Sequence, residues 1–169
     1  NTAAVIVNLA PTFSLQPISS TVCLGETPTL LKVTSINGVG TQQYQWYSNT
    51  VNSLIGSQLI PGASADNYNP PTTAVGTVYY YCIVSASGNG CNPVTSDVVA
   101  VTILADPSIS SQPTGFTECI DGTRSLSVTA TGGTPSLTYQ WYRNTTSSTS
   151  GATLIGSATS SSYTPPSSS

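Results

Sequence analysis

The alternation of apolar and polar positions is clearest in Tyr44-Gln45-Trp46-Tyr47, which returns as Tyr139-Gln140-Trp141-Tyr142, 95 residues later. These words hold the only two Trp of the chain. A short alternating segment centred on Trp reads as a half-buried strand, with Trp inward and Gln45, Gln140, Tyr47 and Tyr142 outward. Around the first copy the pattern predicts further strands. Residues 21–26 form a short strand ending in a Gly turn, and residues 29–34 mix apolar and hydroxyl side chains. A polar loop then leads to an apolar run at 59–63. The paired Pro70-Pro71 ends the next strand, because Pro has no N–H for a ladder. Residues 77–86 are aromatic and β-branched, the Ser-Gly-Asn-Gly at 87–90 is a hairpin turn, and 94–104 is the return strand. No window carries a 3.6-residue apolar period. Strands spaced by turns in this way predict an all-β chain built as a β-sandwich.

The repeat divides the chain. Pro11 falls on Pro107, and residues 1–10 match 97–106, so residues 1–10 are expected to be the last strand of a preceding repeat. Residues 11–105 form a complete repeat, and 106–169 form a second that lacks its last two strands. Ser169 aligns with Ala74, so nothing in the second copy corresponds to 77–86 or to the return strand. Its core is therefore expected to be open and its strand edges unpaired, unless a continuation or another copy completes it.

Composition narrows the role. Charged residues are 5% of the chain, against roughly 25% in an ordinary domain, so solubility rests on Ser, Thr, Asn and Gln. Three Lys+Arg cannot neutralise a phosphate backbone, which excludes nucleic acid, and they give no electrostatic hold on an anionic membrane. No run of 18 apolar residues predicts membrane insertion. The chain does not begin with Met and is read as a segment of a longer secreted protein. Its four Cys fit an oxidising, extracellular compartment.

Trp46 on the third strand, followed by Tyr80-Tyr81-Cys82 on the sixth, resembles the immunoglobulin fold, with Tyr80 two residues before Cys82. The tandem words Val-Cys-x-Gly, Tyr-Gln-Trp-Tyr, Tyr-x-Pro-Pro and Tyr-Tyr-Tyr-Cys-x-Val resemble the Ig-like repeats of very large surface proteins of Bacteroidota, including gliding-motility adhesins and type IX secretion cargo. The resemblance implies tandem immunoglobulin-like β-sandwiches with a period of about 95 residues. It implies a structural core of Trp46, Tyr80, Cys82 and Trp141 and a place on the cell surface. The second-strand Cys of antibody domains is absent, and its inward position falls near Leu31.

With immunoglobulin topology assumed, no pairing of Cys23, Cys82 and Cys91 fits inside one repeat. Cys23 and Cys82 differ in height by about 15 Å at roughly 3.3 Å per residue, beyond the roughly 7 Å that a disulfide spans between Cα atoms. Two readings stay open. In a head-to-tail array Cys91 could bond the Cys23 equivalent of the preceding repeat, and Cys23 or Cys119 the Cys91 equivalent of the following one. Alternatively Cys23 and Cys119 are small buried hydrophobes with free thiols.

Catalytic chemistry has no constellation to stand on. His is absent, which removes Ser-His pairs and His metal sites. Glu26, Asp66, Asp97, Asp106, Glu118 and Asp121 scatter over turns and strand ends at unmatched spacings. Asp97 and Asp106 are read as turn and linker residues, with Ca²⁺ binding as the alternative. The chain is read as no enzyme and as needing no cofactor. Tyr47, Tyr79 and Tyr81 alternate away from the core and form a candidate surface row for glycan. Asn144-Thr145-Thr146 is an N-glycosylation sequon. Two readings lead the rest: a stalk or filament shaft that touches neighbouring repeats and other copies of itself, and a module that binds glycan or a host surface. A spacer attached to a secreted enzyme is the third.

Overall fold

A computed structural model describes residues 3, 4, 6–88, 92–133 and 136–167. All regular elements among them are β-strands. The chain falls into two compact units, Asn1–Leu104 and Ala105–Ser169.

The first unit has ten strands: β1 (Thr12–Leu15), β2 (Ser20–Cys23), β3 (Leu31–Lys32), β4 (Thr34–Ile36), β5 (Gln42–Asn49), β6 (Gln58–Leu59), β7 (Asn67–Tyr68), β8 (Gly76–Ala86), β9 (Val94–Thr95) and β10 (Val99–Leu104). One layer is a six-stranded sheet in the order β2-β10-β8-β5-β6, with β9 also paired to β8. The other layer is built from the ladders β1-β4 and β3-β7. The inward residues of both layers meet in one core: Leu31 and Val33 from one side, Trp46, Tyr80, Cys82, Val84, Val99, Val101 and Ile103 from the other. The period-2 alternation of β10 is read directly as burial, with Val99, Val101 and Ile103 inside and Ala100, Thr102 and Leu104 turned out. Leu31, Trp46 and Cys82 are fully buried. Leu31 and Cys82 thus reach one core from its two layers, and the Cys82 thiol is free.

One expected strand differs from the sequence pattern. The return strand is broken into β9 and β10 at Ser96, which is buried. The Ser96 N–H donates to the Cys82 carbonyl at 2.8 Å, and its hydroxyl accepts the Cys82 N–H at 2.9 Å. The side chain thus does the work of a ladder group, and the strand bends there. The described residues 3, 4 and 6–10 join no ladder, and Ile6 and Val7 are 81% and 88% exposed.

The second unit has six strands: β11 (Ser108–Ser111), β12 (Leu126–Ser127), β13 (Thr129–Thr131), β14 (Tyr142–Arg143), β15 (Thr153–Leu154) and β16 (Ser162–Tyr163). They pair as β11-β13, β12-β16 and β14-β15. These ladders copy those of the first unit: Leu126 faces Tyr163 as Leu31 faces Tyr68, and Tyr142 faces Leu154 as Tyr47 faces Leu59. The register shift between Phe13 and Leu15 in β1 also returns, between Ile109 and Ser111 in β11. Among its described residues this unit has no counterparts of β2, β8, β9 and β10. Not one of those residues is buried.

Candidate functional site

The repeated Trp word builds the same clasp twice. Gln45 lies on β5 beside Trp46, and its Nε2 donates to the carbonyls of Trp46 and Ile60, both at 2.9 Å. Gln140 Nε2 donates to Trp141 and Ile155 at 3.0 and 2.8 Å. Trp46 Nε1 donates to Ala65 at 3.0 Å, and Trp141 Nε1 to Ser160 at 2.8 Å. The main chain repeats as well, with Trp46 N to Ala63 O and Trp141 N to Ala158 O both at 3.0 Å. Each indole leans on a Tyr ring, Tyr68 at 6.2 Å and Tyr163 at 5.9 Å between centroids. A Trp N–H taken out of water needs an acceptor, and the fixed loop carbonyl supplies it.

A second repeated device holds the loop after the Trp strand. Asn49 Nδ2 donates to Ser53 O at 2.7 Å and Ile55 O at 3.0 Å. Asn144 Nδ2 donates to Ser148 O at 2.7 Å and Ser150 O at 2.9 Å. The amide of the sequon is therefore engaged within its own loop. Neither Gln45 nor Asn49 stands out from strand alternation. The available signal is retention: Gln and Asn stay at fixed distances from Trp in both copies.

The expected surface row of Tyr47, Tyr79 and Tyr81 does not present three rings. Tyr47 and Tyr81 stack at 5.1 Å with planes 5° apart, and Tyr81 is only 5% exposed. Alternation places Tyr81 on the outer face correctly, but its neighbours cover it, leaving Tyr47 and Tyr79 half-buried. Tyr80 lies on the inner face, tilted against Tyr68 at 5.7 Å, and burial pushes its hydroxyl up to about 12.

Cys82 is buried with a free thiol, and desolvation pushes that thiol up to about 11, so it stays protonated and unreactive at neutral pH. Cys23 is free and half-buried at the end of β2. Cys119 is free and exposed, which does not match a small buried hydrophobe. Cys91, the fourth candidate cysteine, lies outside the described residues. The turn beside Cys23 shows how the repeats diverge. Gly25 takes φ 80° there, whereas Asp121 takes φ 64° at the matching position of the second unit. Glu26 N to Cys23 O and Gly122 N to Cys119 O are both 3.1 Å, so one turn is made with two residue types.

Among the described residues no group of three or more His, Cys, Asp or Glu is gathered as a metal site. Asp97 donates its N–H to Gln16 Oε1 at 3.0 Å, and Glu118 Oε2 accepts the Arg124 N–H at 3.1 Å. What the arrangement offers instead is a ladder joining the two ends of the first unit. β2 runs parallel to β10, pairing Ser20 through Cys23 with Val101 through Leu104. Side chains lengthen it below: Gln16 Oε1 holds Asp97 N, and Ser19 Oγ holds Ala100 N at 3.0 Å. Leu24 N to Leu104 O at 2.9 Å closes it above.

The second unit offers an open face. A cleft of about 340 Å³ is lined by Ile109, Val128, Ala130, Leu137, Tyr139 and Trp141. Val128, Tyr139 and Trp141 are the counterparts of Val33, Tyr44 and Trp46, which pack within the first core.

Known proteins place this geometry. The family described as Domain of unknown function (DUF8696) matches residues 16–105, more than half of the chain. No curated protein matches the sequence. Among solved structures the chain is similar to the I-band fragment I67-I69 from titin, with TM-score 0.59 and 13% identity over 89% of this chain and 49% of that one. It is also similar to Sidekick-1 immunoglobulin domains 1-5, with TM-score 0.55 and 18% identity over 82% of this chain and 28% of that one. This chain thus spans less than half the length of either. At such identity the likeness shows the fold, and the fold is immunoglobulin-like.

Proposed function

The chain belongs to the family described as Domain of unknown function (DUF8696), and we propose that it is a structural repeat segment, the stalk or shaft of a large extracellular surface protein of the Bacteroidota adhesin type. The parallel pairing of β2 with β10 carries this reading. The unit's sheet is entered through β2 and left through β10. Tension on those two strands pulls parallel neighbours past each other along their length. Their hydrogen bonds are then loaded together in shear instead of one after another. The bonds from Gln16 and Ser19 add to the same line of resistance. The repeated Trp clasp supplies a stiff body behind the ladder, and repetition supplies length. A surface of few charges and many hydroxyls suits an exposed fibre, and contacts with other copies are part of the proposal.

Glycan capture is the rival reading. The tyrosine face does not favour it, because Tyr81 is covered and stacked.

Force spectroscopy on the full chain tests the proposal. Val22→Pro removes a donor within β2, and Gln58→Pro removes one within β6 at the far edge of the same sheet. The expected result is a large loss of rupture force for Val22→Pro and little loss for Gln58→Pro, even where both lower thermal stability. Equal rupture forces in the two variants would sink the mechanical reading.

A further inference from the structure

We infer that the first unit holds a binding pocket for a small uncharged molecule, mostly apolar, with one oxygen that accepts the hydroxyl proton of Tyr80. The inference does not depend on the stalk reading. It rests on a cleft in the first unit and on a hydroxyl that the core leaves without a partner.

The cleft lies where the loop after β7 turns back into β8, and its volume is about 230 Å³. Pro71, Ala74 and Val75 line it from the loop, and Tyr80, Val101 and Ile103 from the inner face of the sheet. Tyr80, Val101 and Ile103 are 4% or less exposed, so the inner wall is part of the core, whereas Val75 stands at the rim and is 58% exposed. The loop is pinned from outside by the Gly25 N–H, which donates to the Thr72 carbonyl at 3.0 Å. Gly76 then takes φ 140° to enter β8, and a Cβ placed on it would meet nothing within 4 Å. The loop thus stands off the sheet instead of packing down on it.

The hydroxyl supplies the second observation. A phenol taken out of water loses free energy unless it finds a hydrogen-bond partner. The other polar rings of this core find one: Trp46 Nε1 donates to Ala65 O, and the Tyr44 hydroxyl pairs with Ser35 Oγ at 3.0 Å. The Tyr80 hydroxyl bonds to no described residue, although the side chain is buried and its ring is held against Tyr68 at 5.7 Å. Among the described residues only Ser20 Oγ is fully sealed without a partner. The Tyr80 hydroxyl therefore keeps an opening, and the cleft that Tyr80 lines gives it one.

These features select the ligand. No charged residue lines the cleft, so an ion would lose its hydration there with nothing to replace it. A cavity of ~150 Å³ takes benzene, so this one has room for a ring with a short carbonyl group. Acetophenone has that shape and an acceptor. Ethylbenzene has nearly the same shape and none.

The test is an NMR titration of the full chain with each of these two probes. Acetophenone is expected to shift the amides of residues 75–78 and 101–103 saturably, and ethylbenzene to bind on the order of tenfold more weakly. Tyr80→Phe keeps the ring and removes the hydroxyl, and it should erase the difference between the probes. Three results would overturn the inference: no saturable shift of those amides by acetophenone, equal affinity of the unaltered chain for both probes, or a preference for acetophenone that survives in Tyr80→Phe. The first two need only the unaltered chain, so they decide the matter even where Tyr80→Phe does not fold.

Discussion

Trp46 and Trp141 make the same hydrogen bonds to the same positions, at lengths that agree within 0.2 Å. Yet Trp46 is fully buried, while Trp141 remains half-buried and lines an open cleft. The clasp and the core are therefore separate achievements. The clasp is local: Gln, Trp and the loop carbonyls lie within about one hairpin of each other, and their geometry returns wherever that sequence returns. The core is not local. It needs β8 and β10, which reach the Trp strand from 30 or more residues away. In the second unit the clasp has formed, and none of the described residues is buried.

Substitutions can break this comparison, and the Trp pair should do so most strongly. Trp46→Ala leaves a large cavity and is expected to cost ~3–5 kcal/mol, a large part of the ~5–15 kcal/mol that holds a domain together. Trp141→Ala should cost ~1–2 kcal/mol, because much of its area is still in water. Urea titration of the two variants measures the gap, and equal costs would mean that the second unit is closed in solution. Next comes Ser96→Ala, which strands the buried Cys82 N–H and is expected to cost ~1–3 kcal/mol, read as a lowered denaturation midpoint of the first unit.

Alkaline pH sharpens the contrast. The Cys82 thiol is raised from 9.0 to about 11 and the Tyr80 hydroxyl from 10.0 to about 12. The unfolded chain therefore loses these protons first. The stabilisation is complete below pH 9 and falls as pH rises toward 11, then further toward 12 as Tyr80 follows. Melts across that range should show the fall, and Cys82→Ala should remove the part between pH 9 and 11. The smallest expected effect lies at the turns. Gly25→Ala forces a Cβ into left-handed backbone and should cost ~1–2 kcal/mol. Asp121→Gly, the reverse change at the matching turn, should be neutral or gain up to ~1 kcal/mol. Both are read by thermal denaturation.

The strands around Trp46 and the inward register of β10 were legible because each follows from alternation along one strand. Gln45 was not. Alternation assigns it outward to solvent, but its amide folds over the strand edge to Ile60, an acceptor that only the fold brings within reach. Tyr81 shows the same limit in another form. Its face follows from its register, but its burial depends on the Tyr47 ring and other neighbours. The break at Ser96 was hidden for a third reason: a hydroxyl that replaces a ladder group looks like any surface Ser in the sequence.

The parallel pairing of β2 with β10 also sets an order in time. The two strands stand at opposite ends of the unit's sequence, so the contact that closes the sheet is the last that a growing chain can make. In a chain delivered N-terminus first, β2 waits without its neighbour until Leu104 has appeared. Until then the unit can be threaded like any unfolded polypeptide, and it locks only once the whole repeat has been delivered.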